Sequence, residues 1–176
     1  MQRVLVIGNP GAGKSTFSAQ LAARTGLPLI ALDAEFWQRG WVETEHDEWR
    51  DKLDLLLAGD HWIMDGTYAS TLDLRLPRAD TVIWFDTPRV LCLQRALWRT
   101  VWSLGRVRPG MAAGCRERLD HRFLRYVWTF EQKFNPRIAA ALKTHGDHLA
   151  PVIFRHDADA RRFLDNIQAR PLTETT

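Results

Sequence analysis

Short apolar runs alternate with more polar, amphipathic stretches along most of the chain. Five runs predict strands, at residues 4–7, 27–32, 61–64, 81–85 and 151–154. The intervening stretches predict helices at residues 14–24, 45–57, 89–104 and 115–142. Strands that alternate with helices form mostly parallel sheets covered by helices on both faces. The pattern therefore predicts an α/β fold, a three-layer α/β/α sandwich around a five-stranded, mostly parallel sheet.

The turn between the first strand and the first helix carries the most specific motif. Residues 8–16 read G-N-P-G-A-G-K-S-T and fit G-x-x-x-x-G-K-[ST] directly after an apolar strand, which predicts a phosphate-binding loop. Its glycines let backbone N–H groups turn toward an anion, and the helix N-terminus adds its dipole. The expected nucleotide-binding residues are Gly8, Asn9, Pro10, Gly11, Ala12, Gly13, Lys14, Ser15 and Thr16.

Within this phosphate loop the last three residues have separate expected roles. We expect Lys14 at the β- and γ-phosphates of ATP, where it also acts in catalysis. Ser15 offers its hydroxyl to Mg²⁺. Thr16 contacts an inner phosphate.

Two aspartates follow predicted strands at the edge of the sheet where α/β folds bind ligands. Asp65 ends the third strand and is expected to organise Mg²⁺ together with Ser15. Asp33 follows the second strand and is expected to orient or deprotonate an acceptor hydroxyl. If the acceptor is itself a phosphate, no base is needed and Asp33 is a binding residue. An aspartate at such a place also commonly caps the next turn or helix.

Arginines are concentrated between residues 95 and 125, a range that contains eight arginines and only two acidic residues. Arg95 and Arg99 are four apart on one helical face and are expected to act on the phosphates, unless that face is simply solvated. Residues 105–114 contain three glycines and one proline, which predicts a mobile lid over residues 105–118. The expected lid arginines are Arg106, Arg108, Arg116 and Arg118.

Residues 34–60 are expected to form the acceptor side of the site. Trp37, Trp41 and Trp49 lie in this segment, where a flat ring could stack on a base or sugar, although packing beneath a helix is the favoured alternative. Arg75 lies between the third and fourth strands and could reach an acceptor anion. The expected substrate-binding residues are Asp33, Trp37 and Arg75.

Composition narrows the picture only modestly. The 176 residues, 45% hydrophobic, suit one domain over residues 1–170, followed by a polar tail at 171–176. No apolar run approaches a membrane span of about 20 residues and no secretory signal is evident, so we expect a cytoplasmic protein without a membrane partner. The formal charge of +3 is too small to indicate nucleic acid by itself. Cys92 and Cys115 lack metal-ligand spacing and are expected to be reduced thiols.

Three segments carry a resemblance to a known family. Residues 64–66 read M-D-G, residues 79–88 read A-D-T-V-I-W-F-D-T-P, and residues 95–99 read R-A-L-W-R. Together with the phosphate loop they resemble the adenylate kinase and shikimate kinase branch of small P-loop kinases. The chain looks most similar to the members known as topology modulation (FlaR-like) or adenylate kinase-related proteins. The resemblance covers residues 1–164.

The resemblance implies roles for several residues. In that family the first arginine of R-x-x-x-R, here Arg95, packs against adenine, and the second, here Arg99, contacts phosphate. Asp33 stands where shikimate kinases carry a substrate-binding aspartate. However, Ala69 replaces the arginine that grips AMP in adenylate kinases, and Ala31 replaces a second aspartate of shikimate kinases. The resemblance therefore supports the fold and ATP as the phosphate donor better than it supports AMP or shikimate as the acceptor.

The leading hypothesis is a Mg²⁺-dependent phosphotransferase that moves the γ-phosphate of ATP to a nucleoside, a nucleotide or a hydroxyl-bearing metabolite. The alternative is a nucleotide-gated regulatory or DNA-associated ATP-binding protein with weak ATPase activity, which leaves nucleic acid open as a less favoured partner. A GTPase is disfavoured because neither N-K-x-D nor a D-x-x-G after the third strand is found. Both a monomer and a homodimer are compatible with the sequence.

Overall fold

A five-stranded parallel sheet forms the centre of the computed structural model, which describes residues 1–167. The strands within these residues are β1 (Arg3–Gly8), β2 (Leu29–Ala31), β3 (Trp37–Gln38), β4 (Val42–Glu43), β5 (Trp62–Asp65), β6 (Thr81–Phe85) and β7 (Val152–Phe154). The helices are α1 (Lys14–Thr25), α2 (Leu32–Phe36), α3 (His46–Leu57), α4 (Leu72–Arg75), α5 (Arg89–Trp102), α6 (His121–His145) and α7 (Asp157–Asp165). Short 3₁₀ turns at Ala69–Thr71 and Leu76–Arg78 flank α4.

The order of strands in the large sheet is β2-β5-β1-β6-β7, and every pair is parallel. The central strand β1 pairs with β5 and β6, so Val6 lies opposite Asp65 on one side and Ile83 on the other. All five carboxyl ends meet at one edge of the sheet. This arrangement confirms the predicted α/β sandwich and brings the phosphate loop, Asp65 and α2 together.

Alternation along β1 divides the core into two layers. Leu5 and Ile7 face the side covered by α3, α4 and most of α6, where the core also includes Leu53 and Phe130. Val4 and Val6 face the opposite side, covered by α1, α5 and α7. Each face of a parallel sheet needs such a cover because both are apolar. The two cores hold the sheet rigidly beneath the site.

Several elements differ from the sequence prediction. The last long helix begins at His121 rather than at residue 115, because the Asp120 side chain accepts a hydrogen bond from the Arg122 N–H at 2.8 Å and caps the helix there. Residues 115–120 therefore belong to the connection after α5. Asp33 lies in the first turn of α2, and β3 and β4 form an antiparallel hairpin that the apolar pattern did not reveal.

Within residues 1–167, no helix is both long enough and apolar enough to cross a membrane. The division of the chain into one domain over residues 1–170 stays a prediction. The predicted polar tail at 171–176 lies outside the described residues.

Candidate active site

A cavity of about 830 Å³ opens at the carboxyl edge of the sheet. The phosphate loop forms its floor, and the chain from Ala31 to Glu43 forms one side. The lid and the first turns of α6 form the opposite side. Residues predicted separately as donor, acceptor and lid groups thus face a common space.

The phosphate loop has the backbone of an anion site. Gly11 and Gly13 have φ values of 85° and 99°, a left-handed conformation that turns N–H groups inward and that side chains disfavour. At Gly8 a Cβ atom would lie 2.3 Å from the carbonyl oxygen of Phe85 in β6. Helix α1 begins at Lys14 and has no acidic residue in its first turn, so its dipole is free to attract phosphate.

Lys14 is folded back onto the phosphate loop. Its Nζ donates hydrogen bonds to the carbonyl oxygens of Gly8 at 2.8 Å and Asn9 at 3.0 Å. Burial lowers the pKa of Lys14, while the charges of Asp65 and Asp33 act in the opposite direction. Both carboxylates are therefore close enough to influence the ammonium group. A phosphate would offer Lys14 a stronger acceptor than two neutral carbonyls.

Asp65 is buried at the end of β5, only 8% exposed, and its Oδ1 has no hydrogen-bond partner within residues 1–167. Burial raises the pKa of Asp65, and the Lys14 ammonium and the Ser15 hydroxyl oppose this shift. An unpartnered buried carboxylate oxygen costs free energy unless a ligand satisfies it. Carboxylate and hydroxyl oxygens are the ligands that Mg²⁺ prefers, so Asp65 and Ser15 fit that ion.

The described residues contain no group of three histidine, cysteine or acidic side chains that could hold a metal ion by itself. A Mg²⁺ ion at Ser15 and Asp65 would therefore depend on phosphate oxygens for further ligands, as is usual for this cation.

The thiols of Cys92 and Cys115 are free and buried. Burial raises the pKa of Cys92 to about 11.

Asp33 faces the cavity and is held by Tyr68. The Tyr68 hydroxyl donates a hydrogen bond to Asp33 Oδ1 at 2.7 Å. Burial, reinforced by the Asp33 charge, raises the pKa of the Tyr68 phenol, so Tyr68 remains a donor at neutral pH. This contact fixes one oxygen of the carboxylate. The sequence pattern contains Tyr68, but its role was not predicted.

Arg75 differs from its expected role because it does not line the cavity. Its guanidinium is completely buried and donates to the carbonyl oxygens of Gly66 at 2.9 Å, Tyr68 at 2.8 Å and Thr71 at 3.3 Å, and also to that of Thr67. These bonds use four of the five N–H groups of an arginine. Arg75 therefore shapes the loop that carries Tyr68, and an acceptor anion cannot replace so many carbonyls.

Aromatic rings form much of the acceptor side. Trp37 lines the cavity and packs edge to face against Trp41, with ring centroids 5.4 Å apart. Trp49 instead lies in the core, 2% exposed, against Phe36 and Tyr68. For Trp49 the alternative of packing beneath a helix is therefore the one observed. The aromatic side chains that line the cavity are Phe36, Trp37, Trp41, Tyr68, Phe123 and Tyr126.

The two arginines of α5 both reach the cavity but differ in their partners. Arg95 forms a two-pronged ion pair with Asp157 of α7, with N–O distances of 3.0 and 2.6 Å. Arg99 has a buried Nε without a partner among the described residues. Burial and the neighbouring Arg108 guanidinium lower the pKa of Arg99. Arg99 is thus a cation that lacks a full set of acceptors in this state.

The lid arginines divide into two groups. Arg108 and Arg118 line the cavity, and Arg108 forms an ion pair with the buried Glu117. Arg106 and Arg116 are exposed and do not line it. Among the eight arginines between residues 95 and 125, five line the cavity: Arg95, Arg99, Arg108, Arg118 and Arg122. Most of this positive charge therefore faces inward.

The lid contacts the β3–β4 hairpin and closes one side of the cavity. The Trp41 Nε1–H donates to the carbonyl oxygen of Arg116 at 2.8 Å. The Cys115 thiol donates to the carbonyl oxygen of Gln38 at 3.2 Å.

Trp41 and Tyr68 are the two non-glycine residues within residues 1–167 that have a positive φ, which is 66° for Trp41. Both residues line the cavity, in keeping with strain at functional sites.

Sequence reasoning missed Tyr68, Glu43 and Glu117 as residues of the site. Tyr68 follows Asp65 by three positions at the carboxyl edge of the sheet, which is a usable signal. Glu117 was visible as one of only two acids within an arginine-rich stretch. Glu43 gave no signal, because the hairpin that brings it to the cavity was not predicted.

The parallel sheet, its flanking helices and the loop after β1 give the chain the fold of P-loop kinases. A solved structure that shares it is the shikimate kinase from Acinetobacter baumannii in complex with shikimate, which is 16% identical, with a TM-score of 0.55 over 95% of this chain and 90% of that one. Another is the shikimate kinase from Bacteroides thetaiotaomicron, 13% identical, with a TM-score of 0.50 over 93% of this chain and 96% of that one.

Sequence comparisons add no closer assignment, since no protein-family model and no curated protein matches the chain. At such low identity, the structural likeness concerns the fold and not the substrate. The finer resemblance to topology modulation and adenylate kinase-related proteins stays a prediction.

Proposed function

We propose that the protein is a kinase that transfers the γ-phosphate of ATP to a small-molecule hydroxyl. The observation that carries this proposal is that Lys14 of the phosphate loop and Asp33 of α2 face the same cavity, each within the electrostatic reach of the other. A phosphate site beside an oriented carboxylate is the arrangement that phosphoryl transfer to a hydroxyl requires. The shared fold of the two shikimate kinases adds support by analogy.

The phosphate-loop amides and Lys14 hold the β- and γ-phosphates in this proposal. Lys14 gives up its bonds to Gly8 and Asn9 and turns to the phosphate oxygens. Arg99, with its unpartnered Nε, supplies a further donor to the transferred group. Arg95, which Asp157 orients, is assigned to the base of ATP, as the family resemblance implies.

Asp33 orients the acceptor hydroxyl. Tyr68 holds one of its oxygens, which leaves the other to accept a hydrogen bond from the acceptor. Ser15 and Asp65 would hold Mg²⁺, which supplies neutralisation of phosphate charge when bound. The closed lid limits access of water to the transferred group.

The test is release of ADP from Mg-ATP by the wild-type protein and by Lys14→Ala, across a panel of hydroxyl-bearing and phosphate-bearing acceptors. We expect ADP release to rise above background with one acceptor class and to fall on the order of 10³-fold in Lys14→Ala. Lys52→Ala is the matched control, because Lys52 pairs with Glu35 outside the cavity.

The proposal is wrong if ATP binds tightly while no acceptor increases ADP release. It is also wrong if Lys14→Ala keeps the wild-type rate. Binding to DNA that disappears at moderate salt, with no acceptor phosphorylated, would favour a regulatory protein.

A further inference from the structure

The side of the cavity opposite the arginines has an unusual composition, and it bears on the acceptor. We infer that the acceptor is a polyhydroxylated ring compound without an anionic group, such as a nucleoside, a sugar or an amino sugar. This inference rests on the proposed function and specifies its substrate class. The residues from Ala31 to Glu43 and from Gly66 to Tyr68 that line the cavity are called the acceptor wall below.

The acceptor wall carries two carboxylates, Asp33 and Glu43, and no cationic side chain. Neither an ion pair nor a hydrogen bond to the Glu43 side chain exists within residues 1–167, so its charge is free to act on a ligand. An anionic acceptor placed against this wall would meet like charges, which is costly in a partly enclosed site. A neutral or cationic substrate would instead contact carboxylate oxygens that accept hydrogen bonds from its hydroxyl or amine groups.

Arg39 lies within the sequence range of the acceptor wall, but it is exposed and does not line the cavity. The next cations along the chain have other partners. Lys52 pairs with Glu35 at 2.8 Å and also donates to its backbone carbonyl. Arg50 pairs with Asp73 at 2.8 Å. Arg75 is buried on backbone carbonyls. None of these four cations lines the cavity, so none of them is available there to bind a phosphate or a carboxylate of the acceptor.

The arginines that do line the cavity come from α5, the lid and the start of α6. Arg95 is paired with Asp157, and Arg108 with Glu117. Arg118 and Arg122 flank Asp120, which lines the cavity with them. In this inference their positive charge binds the transferred phosphate rather than the acceptor.

Aromatic side chains give the acceptor wall its shape. Trp37 and Phe36 pack edge to face, with centroids 5.2 Å apart, and Trp37 packs in the same manner against Trp41. The indole of Trp41 is fixed by its hydrogen bond to the lid backbone. Such a group of flat rings binds the apolar faces of sugars and bases, and the carboxylates beside it accept hydrogen bonds from ring hydroxyls.

The experiment compares matched pairs of ligands by titration calorimetry, using the full-length protein saturated with Mg²⁺ and a non-hydrolysable ATP analogue. The pairs are adenosine with AMP, glucosamine with glucosamine 6-phosphate, and glucose with glucuronate, and shikimate is an added anionic hydroxy acid. We expect a member without an anion to bind at least about tenfold more tightly than its anionic partner.

Two variants connect that preference to the acceptor wall. Glu43→Gln should reduce the preference by about fivefold, with the larger loss for the amino sugar, because a formal charge is removed. Glu48→Gln is the matched control and should keep the wild-type preference, because Glu48 is exposed and does not line the cavity. Thermal unfolding of each variant establishes that the fold is retained.

The inference is overturned if the anionic members bind equally well or better, if Glu43→Gln leaves the preference unchanged, or if neither series binds. Transfer of labelled phosphate is measured on the same ligands. Transfer to an anionic acceptor would overturn the inference while sustaining a kinase. Binding of neutral ligands without any transfer would sustain the inference and overturn the proposed function.

Discussion

The donor half and the acceptor half of the cavity are built from different kinds of groups. The phosphate loop presents backbone N–H groups, whose direction depends on left-handed glycines such as Gly11 and Gly13. The acceptor wall instead consists of side chains, carried by a five-residue helix and a short hairpin. A backbone site is specified by a local motif, whereas a side-chain site depends on contacts made across the chain.

This difference determines how readily the residues of each half can be substituted. Any side chain that replaces a glycine of the phosphate loop strains the backbone, so the donor half tolerates little change. The acceptor wall can exchange one ring or carboxylate for another while the sheet beneath stays intact. Four predictions probe this contrast, beginning with the largest effect.

Gly8→Ala tests whether the donor half depends on backbone geometry. The new Cβ would lie 2.3 Å from the Phe85 carbonyl oxygen at a φ of 137°, so the central strands must shift. We expect the free energy of unfolding to fall by about 4 kcal/mol, measured by chemical denaturation. Gly40→Ala, at a φ of 83° with nothing within 4 Å, should cost only about 1 kcal/mol. Equal costs for the two variants would contradict the contrast.

Arg75→Met tests the framework of the acceptor half. Removal of the guanidinium takes a donor from four carbonyl oxygens, of which that of Tyr68 keeps hydrogen bonds from Thr71. We expect a loss of about 3 kcal/mol in the free energy of unfolding. Arg78→Met is the control and should cost less than about 1 kcal/mol, because Arg78 is exposed and bonds one carbonyl. If Arg75→Met were fully stable but failed to bind an acceptor, the sequence-based role would be restored.

Tyr68→Phe isolates the orientation of Asp33. The variant keeps the ring and removes the donor that lies 2.7 Å from Asp33 Oδ1. We expect the turnover number to fall about tenfold while the KM for ATP stays unchanged, because the phosphate loop is not altered. Steady-state kinetics with varied ATP would show this. A change confined to the KM for ATP would instead mean that Tyr68 acts on the donor half.

Asp65→Asn probes the residue that links the two halves. The pKa of Asp65 is raised in the folded state. In a pH range above the ordinary value of 3.8, the folded protein therefore still holds this proton while the unfolded chain has lost it. The folded state then binds more protons, so the contribution of Asp65 to stability decreases as pH rises through that range. The free-energy cost of burying the ionised Asp65 carboxylate persists at neutral pH. The amide cannot ionise, and we expect Asp65→Asn to be more stable than wild type by about 1 kcal/mol at pH 7.

The pH series supplies the control for this prediction. Below pH 3.8 the wild-type carboxyl is protonated in both states, so the advantage of the variant should disappear there. Mg-ATP affinity should fall in the same variant, because a charged ligand of the cation is lost. A variant less stable than wild type at pH 7 would show that the Lys14 attraction outweighs burial.

The donor half could be predicted from the sequence because its determinants are contiguous. Strand, glycines, lysine and helix occur within residues 4–24, and the structure forms them there. Apolar runs likewise predicted every strand of the large sheet. The central strands are apolar because both of their faces are buried, and the edge strands β2 and β7 are apolar although they are partly exposed.

The acceptor half could not be predicted to the same degree. Arg75 looked like a ligand because arginines usually seek anions, yet the loop of residues 66–71 offers it enough carbonyls to keep it buried. Glu43 reaches the cavity through a hairpin of two-residue strands, too short to leave a periodic signal. The position of Trp49 was decided by core packing, which sequence spacing alone does not distinguish from a binding role.

The contacts between lid and hairpin have an evolutionary consequence. Trp41 and Cys115 each donate to a main-chain carbonyl, of Arg116 and Gln38 respectively. Because main-chain oxygens are present whatever the side chain, mutations at positions 38 and 116 leave these acceptors in place. A lineage could therefore change the side chains at these positions and keep the contacts that join the hairpin to residues 115 and 116.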